Sequence, residues 1–570
     1  MSSVSAPPRA RAAQSVPIFA GCDVATRLRM EAALAQGEQA ACDAAVELKG
    51  EFAVALADAG NGRAFLAVDR FAIRTLCYRV KDGQLWFAER ADDLADADTE
   101  LDPQAIFDYL YFHCIPSPRT IFKGVHRLPP GHCAWFEAGR LQVRPYWVPT
   151  FVEPAGRRSF DASKAEFRAL VQEAVARQLD GTTAACFLSG GTDSSTVAGM
   201  VGLAAGQPAH TYSIGFEAEG YDEMAFARLA ASHFKTVHHE YYVTPDDLVR
   251  SIPQVARYYD QPFGNSSALP AYYCAKFAHD NGVSRLLAGD GGDELFGGNS
   301  RYAKQRIFDA YGLLPAMLRS GLLQPLLEET ALGRVPGFSK ARSYVEQAKM
   351  PMPDRLQIYN LLHRLGLPDV LEPGFLAQVD PDGPGQLQRA VWQHAITQSA
   401  LNRTLAFDWR FTLADSDLPK VRGTAALAGV SVGFPFLDDA LTAFSCGLPD
   451  DYKLRGLKLR WFFKEALRGF LPDATLAKRK QGFGLPFGVW AMRHAPLKAL
   501  AVDSLHSLSE RGIVRPAFIK ALVEQHLPEH PGYYGEMVWI LMMLEQWLQG
   551  HRRGAQWPKP EHQEAPAHHG

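Results

Sequence analysis

The spacing of apolar residues changes along the chain, and each change predicts a different kind of element. From about Ala44 to Leu94 the alternation has a period of two. It runs through Val46–Leu56, turns at Asn61-Gly62, returns through Arg63–Val68, and turns again at Asp82-Gly83 before Leu85–Ala88. Asn-Gly and Asp-Gly supply the positive φ that tight hairpins require, so this stretch predicts a small β-rich domain. From roughly Ala162 to Leu179 the period lengthens, with Phe167, Leu170, Val171 and Val175 at helical spacing. That helix leads into the short apolar run Ala184–Leu188, and similar runs follow at Thr211–Phe216 and Arg285–Ala288. Apolar runs alternating with helices predict a parallel sheet of the α/β class. Residues 303–400 read as largely helical, at Ala341–Ala348, Leu356–Leu365 and Gln388–Leu401. Leu457–Leu467 reads as a helix with cations along one side.

A chain of 570 residues exceeds what one core supports. The expected division is a tail at 1–16, a small domain at 17–147, a Pro/Gly linker at 148–158, a large domain at 159–550 and a second tail at 551–570. The opening segment is basic and free of acids, as transit peptides are, but has no apolar core of signal-peptide length, so a disordered tail is the expectation. A hydrophobic fraction of 47% and a charged fraction of 21% are those of a globular protein. The net charge of −3 points to neither a nucleic-acid nor a membrane partner, and no stretch approaches the ~20 apolar residues of a membrane span. The eight cysteines fall in no metal-type spacing, which is the pattern of a reducing, cytoplasmic setting.

The chemistry concentrates in two glycine-rich loops. In the first, Leu188-Ser189-Gly190-Gly191-Thr192-Asp193-Ser194-Ser195 follows a short strand and opens a helix. Paired glycines let backbone approach a polyanion, helix N–H groups point at it, and the hydroxyls add donors. Asp193 suits a magnesium ion carried by a phosphate chain. A lysine after the last glycine, which a Walker A loop requires, is absent. The bland alternative is a Ser-capped turn in a parallel-sheet protein. The second loop, Ala288-Gly289-Asp290-Gly291-Gly292-Asp293, also follows an apolar strand. Two such loops at strand C-termini face one crevice in an open parallel sheet, so Asp193 and Asp293 are expected to share one Mg²⁺-pyrophosphate there.

His238-His239-Glu240 has metal-type residues, but adjacent histidines in a strand point to opposite faces and grip one ion badly. Asp260–Pro270 reads equally as an N-capped connection or as part of a substrate pocket. The cations of Lys478-Arg479-Lys480, taken alone, read as a solvated face.

The first loop resembles the pyrophosphate-binding loop of ATP pyrophosphatases, and the two loops together resemble the glutamine-hydrolysing asparagine synthetase family. Further matches are Gly50–Ala53 and Asp69–Arg74, Ile115–Phe122 and Leu128–His132, Leu418–Val421 and Phe434–Asp438. The resemblance implies an adenine nucleotide α-hydrolase-like synthetase domain with added helices, preceded by a small β-rich Ntn-hydrolase-like domain. It implies ATP and Mg²⁺, with adenine on the main chain of Ile214 and pyrophosphate on residues 188–195 with Ala288 and Gly289. It further implies Mg²⁺ near Asp193 and Asp293, Lys480 on the α-phosphate, Arg460 on pyrophosphate, and Asp290 on the acceptor side. Lys480 there stabilises charge that builds as a carboxylate attacks the α-phosphate.

Departures accompany the match. The family's glutaminase uses an N-terminal cysteine where this chain has Ser2, so the small domain is expected to be a shortened, glutaminase-dead member. Ser431 and Gly433 stand where an acid and an arginine are usual, Arg422 stands where an aspartate is, and Asp290 where a glutamate is. The expectation is therefore an AMP-forming carbon–nitrogen ligase that adenylates aspartate or an aspartate-like acid and transfers nitrogen to it from ammonia or an amine. A separate glutaminase is an open source of that ammonia, and a homodimer is an open quaternary state. The alternatives are an amide-forming cyclase of the lasso-peptide or β-lactam synthetase type, and a regulatory pseudoenzyme.

Overall fold

A computed structural model describes residues 16–58, 60–152, 159–312, 314–318, 338–478 and 484–551. Two compact units emerge, Met1–Val148 with Tyr259–Phe263, and Pro149–Tyr258 with Gly264–Gly570. Residues 1–15 of the expected tail at 1–16 and residues 552–570 of that at 551–570 lie outside the described residues, as do residues 153–158 of the linker and Lys480.

The first unit holds strands β1 (Ile18–Ala20), β2 (Ala53–Asp58), β3 (Arg63–Val68), β4 (Cys77–Lys81), β5 (Gln84–Ala88), β6 (His126–Arg127), β7 (His132–Glu137) and β8 (Arg140–Pro145). They form an antiparallel sheet ordered β1-β2-β3-β7-β8 and a smaller one ordered β5-β4-β6. The period of two separates two apolar faces. Val54, Leu56, Phe65 and Ala67 pack with Met30 and Leu34 of helix Val24–Gln36 and with Ala41 and Ala45 of helix Glu38–Val46. Ala53, Ala55, Leu66 and Val68 pack with Tyr78 and Phe87 of the smaller sheet. One correction follows: the strand expected from Val46 begins only at Ala53, because the Ala-rich stretch Glu38–Val46 is helical and Gly50 turns the chain at φ +71°.

Asp69 explains why two of the matched segments go together. Its buried carboxylate accepts hydrogen bonds from the N–H groups of Phe52, Phe71, Ile73 and Arg74, at 3.3, 3.0, 3.0 and 2.9 Å. Burial nevertheless pushes its carboxyl up to about 7, against the pull of those N–H groups. Asp260, from the short segment Tyr259–Phe263 that belongs to this unit, forms an ion pair with Arg127 at 3.0 Å, both side chains nearly buried.

The second unit carries the parallel sheet. Its strands β9 (Ala185–Phe187), β10 (His210–Phe216), β11 (Val237–Val243), β12 (Arg285–Leu287) and β13 (Ser431–Gly433) are ordered β11-β10-β9-β12-β13, all parallel. The chain builds outward from β9 to β11, then returns to add β12 on the other side of β9. That reversal between β9 and β12 is the topological switch point, where the loops leaving two neighbouring strands part and open a crevice. The histidines of β11 turn away from one another: His239 stacks on Tyr212 at 4.6 Å, while His238 meets Thr211 Oγ1 at 3.0 Å.

The helical expectations hold in outline and fail at breaks. Ser159 caps Phe160–Gln178 by accepting from Ala162 N–H. The expected helix Gln388–Leu401 is two, Gly383–His394 and Ala400–Asp408, separated where Thr150 bridges Ile396 and Ser399 caps the second. Leu356–Leu365 is likewise a 3₁₀ turn at Asp354–Gln357 followed by Leu361–Leu365, with Asn360 capping. The C-terminal helix Pro531–Gly550 is buried on nearly every side, with Glu545 satisfied by Arg511 at 2.6 Å. Among the described residues no helix is long and apolar enough to cross a membrane.

Candidate active site

The first loop runs from β9 through Leu188–Gly191 into helix Thr192–Ala205. Its hydroxyls close it on itself: Ser194 Oγ accepts from Ser189 N–H at 3.1 Å and lies 3.0 Å from Ser189 Oγ. Gly190 has φ +68°, and a Cβ there would sit 2.3 Å from the carbonyl carbon of Phe226 and 2.4 Å from the nitrogen of Ala227. Both obstacles are backbone, so Gly190→Ala is expected to cost about 3 kcal/mol in denaturant unfolding and to weaken nucleotide binding with it.

The second loop runs from β12 through Ala288–Gly291 into helix Gly292–Phe296. Its glycines let it press against the first loop. A Cβ on Gly289 would lie 2.8 Å from Ser194 N, and one on Gly292 would lie 2.3 Å from Asp193 Oδ1. The two Asp side chains are thereby brought together, and Arg460 joins them. Its Nη2 is 2.5 Å from Asp193 Oδ2 and also pairs with Asp293 Oδ1, while Nη1 donates to Thr192 Oγ1. The guanidinium lies over the Phe463 ring, 5.0 Å from its centroid. Burial disfavours the charge, but Asp193 and Asp293 more than offset that and hold Arg460 protonated.

The segment that delivers Arg460 differs from the expected helix over Leu457–Leu467. Residues Leu454–Arg455 (β14) and Lys458–Leu459 (β15) form a two-residue hairpin turning at Gly456, φ +60°. Arg460 follows in the left-handed conformation, φ +53°, with its N–H on the carbonyl of Gly297 at 3.2 Å, and the helix is only Trp461–Ala466. Glycine at the first central position of a tight hairpin is the turn signal that the helical reading passed over.

Beside these loops lies a cavity of about 400 Å³. Of the expected site residues, Leu188, Ser189, Asp193 and Ser194 line it from the first loop and Gly289, Asp290 and Asp293 from the second. Ile214 lines it from β10. Gly190, Gly191, Thr192 and Ala288 shape the loops without lining the cavity, and Ser195 is fully buried in its helix. Arg460 stands behind Asp193.

Asp290 meets residues that the sequence alone did not single out as functional. Lys420 Nζ is 4.0 Å from Asp290 Oδ1 and 2.7 Å from Asp417 Oδ1. Both come from the junction of a π-helical stretch, Trp409–Asp417, with helix Leu418–Leu427, and π-helical turns recur at functional sites. Burial pushes the Asp290 carboxyl up to about 6, with Lys420 opposing and Asp417 and Asp193 reinforcing. Lys420 is buried yet held above its ordinary value, chiefly by Asp417 and then Asp290. The i, i+3 spacing of Asp417 and Lys420 was the available signal. Ser267, Pro270 and Ala271 also line the cavity, and Asn265 accepts from Ser267 N–H at 3.0 Å. The Gly264–Pro270 half of the polar loop thus contributes to the cavity wall, while no side chain caps the helix Ala268–Asp280 that follows it.

The Asparagine synthase family model matches residues 166–549, and the Glutamine amidotransferase domain model matches residues 22–147. A Mycobacterium tuberculosis protein provisionally named asparagine synthetase [glutamine-hydrolyzing] is 26% identical over 522 residues, 87% of this chain and 76% of the relative. Asparagine synthetase [glutamine-hydrolyzing] 1 of Bacillus subtilis is 23% identical over 489 residues, 84% and 74%. An amidase of Gibberella zeae, chry2, is 29% identical over 296 residues, 47% and 42%. With more than half of its length matched by that first model, the chain belongs to the asparagine synthase family.

Proposed function

We propose that the second unit has the ATP-pyrophosphatase fold and is an AMP-forming amide ligase, which adenylates a carboxylate with Mg²⁺-ATP, releases pyrophosphate, and passes the acyl group to ammonia or an amine. The observation that carries this reading is the meeting of Asp193, Asp293 and Arg460 where the loops of β9 and β12 part. Two carboxylates already sharing one cation, with Gly292 and Gly298 leaving room where a Cβ would collide with them, suit a hard divalent ion. Bound there with the nucleotide, Mg²⁺ would neutralise charge on the departing pyrophosphate.

The chain's own groups do the rest. The first loop's helix N-terminus and the Ser189 and Ser194 hydroxyls hold the phosphate chain, and Ile214 stands at the adenine end. Arg460 is a pre-placed cation behind the phosphates, positioned by its left-handed backbone and its carboxylate partners rather than recruited during the reaction. Lys480 is assigned to the α-phosphate. Asp290, with its proton affinity raised by burial, takes the proton from the attacking nitrogen, and Lys420 fixes its carboxylate. The acceptor wall of Asp290 and Asp417 flanking a single Lys420 favours an amine-bearing partner over a second carboxylate.

The test is ATP–pyrophosphate exchange screened over aspartate, aspartate-containing peptides and other carboxylic acids. Exchange with one acid, lost in Asp193→Ala, is the expected result. Exchange with free aspartate makes the chain an asparagine synthetase, and exchange with a peptide favours the cyclase reading. An absence of both exchange and Mg²⁺-ATP binding leaves a pseudoenzyme.

A further inference from the structure

The first unit contains a pair of thiols that the ligase reading does not use. Cys42 lies on helix Glu38–Val46 and Cys133 on β7, and their sulfurs are 3.3 Å apart in the core between helix and sheet. Their exposures are 7% and 1%, so only a small reagent reaches them. Arg144 on β8 is the direct cross-strand partner of Cys133, and its Nη2 donates to Cys42 Sγ at 3.0 Å. Glu38, one helical turn before Cys42, holds the same guanidinium at 3.3 Å.

This arrangement separates the two sulfurs in character. The hydrogen bond from Cys133, opposed by burial and joined by the Arg144 guanidinium, holds the Cys42 thiol below its ordinary value. The same contact raises Cys133. Elsewhere burial pushes the thiols of Cys77 and Cys186 up to about 12 and that of Cys446 up to about 11, and it raises Cys22. A thiolate beside a resolving thiol is the arrangement from which reversible oxidation proceeds.

We propose that Cys42 and Cys133 form a dithiol site oxidised by hydrogen peroxide, with Cys42 as the attacking thiolate and Cys133 as the resolving thiol. The Cys42 sulfur attacks one peroxide oxygen, the O–O bond breaks, and the departing hydroxide takes up a proton to leave as water. Cys133 then gives up its proton and attacks the sulfur of the Cys42 sulfenic acid. The S–S bond forms, the S–O bond breaks, and the hydroxyl leaves with that proton as a second water. Two thiols lose two electrons and one hydrogen peroxide is reduced to two waters. The sulfurs need to approach by only about 1.3 Å to reach the bonded distance of about 2.05 Å.

The test treats the full-length protein with one equivalent of hydrogen peroxide near pH 7, followed by unfolding, alkylation and peptide mass mapping. The expected first product is a Cys42–Cys133 cross-linked peptide, lighter by two hydrogens and reversed by a dithiol reductant, formed before Cys22 or Cys446 reacts. Arg144→Gln is expected to slow its formation about tenfold near neutrality, with the difference vanishing above about pH 9, where the thiol ionises unaided. Cys133→Ser is expected to halt at a Cys42 sulfenic acid that a 1,3-dione traps. Prior oxidation of Cys22 or Cys446, oxidation of Cys42 without the cross-link, or survival of all the thiols would overturn the proposal.

Discussion

Arg460→Ala is expected to lower ATP–pyrophosphate exchange by about 10²–10³ and to destabilise the second unit by about 3–5 kcal/mol. The two losses share one cause. The guanidinium is nearly buried, its side chain 7% exposed, and it is the cation that Asp193 and Asp293 share. Removing it leaves two like charges close together with little solvent to screen them, which costs far more than the loss of a surface pair. Lysine does not replace it, because one ammonium cannot meet Thr192, Asp193 and Asp293 in the fork that a guanidinium provides. Arg460→Lys is therefore expected to fall between alanine and the parent in both measurements. Added Mg²⁺ is expected to raise the melting temperature of Arg460→Ala more than that of the parent, since a divalent ion substitutes for the missing charge. Denaturant unfolding with and without Mg²⁺, beside exchange rates, checks this. Parental stability in the alanine variant would contradict the assigned electrostatics.

Asp290→Asn is expected to divide the reaction. On the proposed roles, amide formation falls by about 10²–10⁴, while ATP–pyrophosphate exchange stays within a few-fold, because only nitrogen attack needs the base. In the parent, the rate of amide formation is expected to rise with pH through about 6, where Asp290 loses its proton, and that limb is expected to disappear in the variant. The stability consequence has a definite sign. The folded-state value is raised from 3.8 to about 6, so the native state binds this proton more tightly than the unfolded chain does. Asp290 therefore contributes stability that is full below about 4 and is lost as pH rises through about 6. Above that pH the asparagine variant is expected to be the more stable, by about 2 kcal/mol once the 22% exposure of the side chain is allowed for, and below about pH 4 the advantage vanishes. Unfolding at several pH values measures this, and equal loss of exchange and amide formation would remove Asp290 from the second step.

Local chemistry makes the two loops legible in the sequence itself. Ser189–Ser195 and Gly289–Asp293 carry their geometry in their residue types, since paired glycines and helix-opening acids leave few alternative conformations. The parallel sheet is legible for a similar reason: a strand buried on both faces is a short, nearly continuous apolar run, as at Thr211–Phe216. The misreadings fall where one residue redirects the chain. Gly456 turns a hairpin whose second strand, Lys458–Leu459, falls within what reads as helix from Leu457, Ser399 caps a new helix inside another, and an Ala-rich helix precedes β2 where alternation suggested strand. The i, i+3 pairing of Asp417 with Lys420 is local, but their meeting with Asp290 is not legible, because Asp290 lies more than a hundred residues away. The Cys42–Cys133 pair is hidden in the same way, being 91 residues apart.

In the proposed reaction a carboxylate attacks the α-phosphate of the nucleotide whose phosphate chain lies on the first loop. The most direct measurement uses the acid selected by the exchange screen, labelled with ¹⁸O in its carboxylate, with mass analysis of the nucleotide product. One labelled oxygen in AMP, and none in pyrophosphate, is the predicted result. ADP with labelled inorganic phosphate, or AMP carrying no label, would contradict it.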